Sequence, residues 1–179
     1  MKKITIALLL LFAVQLLAQE RMMTDRANVS FEASIPFFEE VKAINKKASC
    51  VLITKTGDFT CWMYVKDFQF ERSLMQEHFN DNYLESNEYP RAIFKGRIEK
   101  FDLKNCTSTA KQHQINGKIT IHGKTKKINC VGFLKKIDNR LELVTSVIAN
   151  TADFNIKIPA IVDTKISKTV KITVSCVLQ

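Results

Sequence analysis

Three histidines and five cysteines are the groups in this 179-residue chain best suited to hold a metal or to serve as nucleophile and base. A metal site needs such residues at short, repeated spacing, as in two histidines one helical turn apart or a Cys-x-x-Cys pair. His78, His113 and His122 do not have that spacing, and Cys50, Cys61, Cys106, Cys130 and Cys176 include no Cys-x-x-Cys. There is no Gly-x-Ser-x-Gly elbow, no phosphate-binding P-loop and no Gly-x-Gly-x-x-Gly turn. The carboxylates fall on polar positions, and none is isolated in an apolar run where burial would raise its pKa into the acid–base range. The residues therefore assign no catalytic group, no metal and no cofactor, and a non-enzymatic protein is expected. A secreted hydrolase would need two or more titratable groups converging in a pocket.

Charge narrows the partners. The chain carries 27 Lys and Arg against 18 Asp and Glu, a net +9. Its basic runs are Lys124-Thr125-Lys126-Lys127 and Lys135-Lys136. Single-stranded nucleic acid is usually bound by aromatics interleaved with such charge, and no aromatic lies between Lys124 and Lys127. Solvated faces, or lysines that guard a sheet edge against pairing, are the better reading. No nucleic-acid partner is expected.

The start of the chain points to export. Met1-Lys2-Lys3 is a short positive segment, and Ile4 to Leu17 is apolar apart from Thr5 and Gln15. The small residue Ala18 precedes the polar Gln19-Glu20. This is the layout of a cleavable signal over residues 1–18, with residues 19–179 as the mature domain. The apolar run of about 14 residues is short of the roughly 20 that span a bilayer, and no cysteine follows it to carry a lipid. Losing Lys2 and Lys3 leaves a mature net charge of +7. In an oxidising compartment the cysteines can pair, but an odd number leaves at least one free. Cys50 and Cys61 flank the turn Lys55-Thr56-Gly57-Asp58, so a cross-strand bridge is conceivable. A one-residue change of register would separate them, and the register is open.

The elements that must position any site are strands. Apolar and polar residues alternate through Val29, Phe31 and Ala33; through Phe59, Cys61, Met63 and Val65; and through Ala92, Phe94, Gly96 and Ile98, where Ile93 is the exception. The pattern returns at His113 to Ile121 and at Val170 to Leu178. Leu141 to Ile148 reads as a further strand, and Lys124 to Leu134 as the hairpin partner that follows the His122-Gly123 turn. Side chains on a strand alternate between faces, so each run has one dry and one wet side. About eight such strands predict an all-β antiparallel sandwich or closed barrel. Two short helices are expected. One runs from Pro36 to Ile44, with Phe37, Val41 and Ile44 at helical spacing. The other starts at a Ser73–Gln76 capping box and carries Leu74, Met75, His78 and Phe79 on one side.

One block is distinctive. The run from Leu74 to Gly96, with Ser86 and then Tyr89-Pro90-Arg91-Ala92-Ile93-Phe94, resembles the central signature of the YceI-like, polyisoprenoid-binding family. Thr56-Gly57, the segment Gly117 to Lys126 and Asp153-Phe154-Asn155-Ile156 resemble further family segments in the same order. Asn155 stands where the family pattern has Gly, and the five cysteines are no part of that pattern. The resemblance implies an extended lipocalin-like antiparallel β-barrel of about eight strands in the periplasm. It also implies a long apolar ligand, such as a polyisoprenoid or isoprenoid quinone, held by shape and hydrophobic burial.

On this reading the barrel wall would be Phe31, Phe59, Met63, Phe94, Ile98, Ile119, Ile121, Phe133 and Phe154. Leu74, Met75, His78 and Phe79 would form a lid. The partners would be the apolar lipid, a transient contact with a membrane surface and, if two chains pair, a homodimer. The competing expectation is a stress-related or structural barrel whose interior is filled by the same side chains.

Overall fold

Eight strands account for most of the chain. They are β1 (Arg21–Glu32), β2 (Lys42–Ile53), β3 (Asp58–Tyr64), β4 (Arg91–Ile98), β5 (Lys111–Ile121), β6 (Lys124–Ile137), β7 (Arg140–Asn150) and β8 (Thr169–Leu178). The computed structural model describes residues 21–179, and the segment read as a signal, 1–18, lies outside them. Each strand pairs antiparallel with the next, and β8 returns to β1, closing the barrel. Seven strands lie where alternation placed them.

The eighth, β2, replaces the expected helix over Pro36 to Ile44. Pro36, Phe37 and Phe38 form a turn, and β2 is extended from Lys42. Its alternation is hidden by an irregularity in which Asn45 and Ala48 both face inward across two exposed lysines. Asn45 is a polar residue fully buried in a strand. Its amide donates to the Tyr64 carbonyl at 2.9 Å and its Oδ1 accepts from Lys47 N at 2.8 Å, which satisfies the distorted backbone.

The other helix, α1 (Ser73–His78), continues as a π-turn over Phe79–Tyr83. The expected capping box is not formed: the cap residue is Arg72, with no side-chain hydrogen bond. Gln76 reaches back instead to accept from Phe70 N at 3.3 Å.

Turn chemistry follows the residues. The β5–β6 hairpin closes through His122 and Gly123, both at positive φ, 49° and 68°. Two such residues match the twist of a tight hairpin. Asn155 sits at φ 59°, ψ 27°, where the chain leaves the 3₁₀ turn Thr151–Phe154. Asn is the residue that best tolerates this left-handed position after Gly, so it replaces the family's Gly at little cost.

Cys50 and Cys61 are direct partners on β2 and β3, both buried, and joined by a disulfide. Cys106, Cys130 and Cys176 are free.

A second tie was not foreseen. His122 is buried, and its Nδ1–H donates to the Phe154 carbonyl at 3.0 Å. Its Nε2 meets Glu85 Oε2 at 2.7 Å, a bond that needs one proton between the two atoms. The Tyr89 ring packs edge-on against the imidazole, centroids 4.4 Å apart. One side chain thus fastens the β5–β6 hairpin to the β3–β4 connection and to the turn after β7.

Reducing the Cys50–Cys61 bridge should lower unfolding free energy by about 2–3 kcal/mol, the value for a loop of this length, measured by urea titration with and without reductant. His122→Ala leaves the Phe154 carbonyl and Glu85 without their partner and should cost about 2–3 kcal/mol. Amide exchange should rise in residues 79–89 in that variant, and unchanged protection there would refute the tie.

Candidate functional site

The barrel interior is solid at one end and hollow at the other. At the solid end Leu52, Phe59, Ile98, Ile115, Leu134, Leu141, Leu143 and Leu178 are all at most 1% exposed. They fill the cross-section, as tightly as packed cores do. At the other end, where β1, β3, β5 and β7 finish and β4 and β8 begin, the inward side chains leave a cavity of about 430 Å³.

Its depth is hydrocarbon. Val29, Phe31, Cys61, Met63, Val65, Phe94, Ile119, Ile121, Phe154, Ile172 and Val174 form the wall. Phe94 forms part of the floor for a specific reason. Gly96 and Gly117 are paired partners on β4 and β5. A Cβ on Gly96 would stand 2.6 Å from the Phe94 ring, and one on Gly117 2.9 Å from it. The two glycines let the ring lie flat against the backbone, facing Phe59 beneath at a centroid distance of 6.0 Å.

Four phenylalanines gather near the mouth. The Phe31 ring stacks on Phe79 at 5.3 Å and meets Phe68 and Phe70 edge-on at 5.3 and 5.7 Å. Offset and edge-on contacts of this kind add to simple burial. They fix α1 and its π-turn against the end of β1. Among the described residues, polar groups enter the lining only from the mouth segments and the end of β7: Glu39, Arg72, His78, Tyr83, Asn150, Thr151, Lys165 and Ser167. Partial burial pushes the Tyr83 phenol above its usual range.

The residues named from sequence divide three ways. Phe31, Met63, Phe94, Ile119, Ile121 and Phe154 line the cavity, as do Leu74, Met75, His78 and Phe79 from the helix. Phe59 and Ile98 face inward but belong to the solid end, below the floor. Phe133 differs. It is 49% exposed on the outside of the barrel, because Cys130, Gly132 and Leu134 take the inward positions of β6. Phe68 and Phe70 were missed, although Phe68-Gln69-Phe70 continues an alternating pattern past β3.

Burial raises the thiols of Cys130 and Cys176, the latter to about 12, which leaves them as protonated apolar fillers at neutral pH. Among the described residues, no group of three or more His, Cys, Asp or Glu is placed to hold a metal ion.

The fold has solved counterparts. A polyisoprenoid binding domain from Saccharophagus degradans, implicated in plant cell wall breakdown, superimposes with a TM-score of 0.76 at 13% identity, covering 89% of this chain and 98% of that one. BcnA of Burkholderia cenocepacia gives a TM-score of 0.69 at 16% identity, covering 86% and 96%. The YCEI protein of Campylobacter jejuni gives 0.63 at 16%, covering 78% and 84%. At these identities the likeness is one of fold. No curated protein sequence matches the chain. The model of the YceI-like domain, however, matches residues 21–178, all eight strands and the whole cavity, and the chain belongs to that family.

Proposed function

We propose that the chain is a non-enzymatic carrier for a long apolar lipid, of polyisoprenoid or isoprenoid-quinone type, working in the periplasm after removal of residues 1–18. The observation that carries this reading is the cavity: hydrocarbon in depth, polar only at its mouth, and within the size range of small-molecule sites. Each prenyl methylene moved from water into it gains about 0.8 kcal/mol, so a long tail binds without a chemical trigger. A polar head would remain at the mouth, beside Arg72, Lys165 and Asn150. The description of the Saccharophagus domain as polyisoprenoid binding supports the same ligand class.

Phe31, Met63, Phe94, Ile119, Ile121 and Phe154 are the proposed contacts, with Phe59 and Ile98 supporting the floor. Leu74, Met75, His78 and Phe79 act as the lid, since α1 sits across the mouth and its apolar side faces the cavity. A completely filled interior would suit the structural-barrel alternative, and about 430 Å³ of apolar space counts against it.

Native mass spectrometry and lipid extraction of the purified protein should find a prenyl lipid; no bound lipid, together with no binding of a prenyl analogue, would sink the carrier reading. Gly96→Ala places a Cβ 2.6 Å from the tip of the Phe94 ring and should drive that ring up into the cavity. It should cost about 1–3 kcal/mol of stability and reduce the copurifying lipid, and lipid retained at the parent level would contradict the assigned floor. Replacing Leu74 and Phe79 with Ser should speed release of a fluorescent prenyl analogue in stopped-flow exchange. An unchanged release rate would reject the lid.

A further inference from the structure

Three segments surround the cavity mouth: the β1–β2 turn, α1, and the long connection from β7 to β8. Each holds a large apolar side chain out in solvent. Phe37 is 104% exposed, Phe38 46%, Leu74 61% and Ile161 84%. Phe38 and Leu74 also line the cavity, and Ile161 adjoins Val162, which does. Phe37 carries a further cost. Its φ is 71°, in the left-handed region that disfavours any residue with a Cβ. Strain held at an exposed aromatic gains the isolated barrel nothing, and such outliers gather where a protein acts on something else.

We propose that this rim docks on a lipid bilayer, with Phe37 and Ile161 entering among the acyl chains and the cavity opening toward them. Two observations select a bilayer over a protein partner. The first is placement. The four side chains together expose roughly 500 Å² of apolar surface, divided among three segments around the mouth. Phe37 and Phe38 share one turn, Leu74 stands on α1 and Ile161 on the β7–β8 connection, so a second copy or another protein would need a matching pocket on each of three segments. A bilayer takes each side chain independently.

The second observation is charge. Most acids beside the tips are paired: Glu39 with Arg72 Nε at 2.7 Å, Asp163 with Lys168 Nζ at 2.8 Å, and Glu40 with Lys42, whereas Glu77 on α1 has no cationic partner among the described residues. Lys157 and Lys165, on the β7–β8 connection, have no carboxylate partner among the described residues. The β7–β8 connection, which carries Ile161, thus presents neutralised acids and two free cations, the complement of an anionic head-group layer. This surface goes beyond the carrier reading. It would bring the mouth to the membrane whichever lipid the cavity holds, and the two readings fail separately.

The test is vesicle flotation of residues 19–179, which include every strand of the closed barrel and leave out the apolar leader that would itself bind lipid. Vesicles are phosphatidylcholine with and without phosphatidylglycerol. The parent should float with both, more with the anionic mixture. F37S/I161S should lose at least about tenfold in vesicle affinity, at an unchanged unfolding midpoint and unchanged cavity lipid by native mass spectrometry. K157Q should lose part of the anionic increment and nothing of the binding to phosphatidylcholine alone. In F37W, emission beyond that of Trp62 should be quenched by brominated acyl chains. Parent protein that does not float, or F37S/I161S that floats as well as the parent, would overturn the proposal. So would a dimer in sedimentation that F37S/I161S abolishes, since a second copy would then be what covers the rim.

Discussion

Closure of the backbone ladder sets everything else in this molecule. Once β8 pairs with β1, every strand has two neighbours and the interior width is fixed by the number and tilt of the strands. Side chains can only choose how much of that width to occupy. At one end Leu, Ile and Phe join in one buried cluster. At the other, small residues and rings laid flat leave it open. The same closed ladder therefore supplies a rigid base and a container, without a separate domain for either.

The hollow half needs support that the solid half does not. An apolar cavity has lining atoms without partners on one side and forfeits their dispersion energy. The ties lie where that loss is incurred. The Cys50–Cys61 bridge has one sulfur in the cavity wall. The four-Phe cluster clamps α1 to the end of β1, and His122 fastens two mouth connections to a hairpin. Stability in this half comes from cross-links between segments more than from filled volume.

Much of this was legible in residue order. Period-two alternation marks seven strands because most of their positions alternate between core and outer face, as Leu141 to Ala149 does. It failed at β2 because Asn45 and Ala48 both turn inward, and because Phe37, Val41 and Ile44 happen to repeat at helical spacing. Phe133 was misassigned for a related reason: in a run with Gly132 on one side and Leu134 on the other, size suggests Phe inside, yet the pleat puts the glycine there. A Cβ on inward Gly132 would come within 2.6 Å of the terminal methyl of Ile115, so the glycine there lets Ile115 and Leu143 close over it. His122 was unreadable because its partners, Glu85 and Phe154, are distant in the chain. Which inward residues line a cavity and which plug the base was equally hidden, since both are aliphatic and aromatic. Only the axial position of each strand position separates Phe59 from Phe94.

The departures from local rules are not spread evenly. Phe37, Glu85, His122 and Asn155, four of the six non-glycine residues at positive φ, lie in the connections of the open end. The long connections lie there too, whereas the solid end is closed mainly by short turns such as that at Gly57. A chain selected only to fold would have no reason to collect strain, buried polar ties and exposed aromatics at one end of a symmetric ladder. Sequences violate local preferences where another demand outweighs them. Here that demand falls at the entrance to the cavity, where a side chain must hold the wall apart, cover the opening or face outward from it. The rim is thus the part of the barrel least explained by the needs of folding.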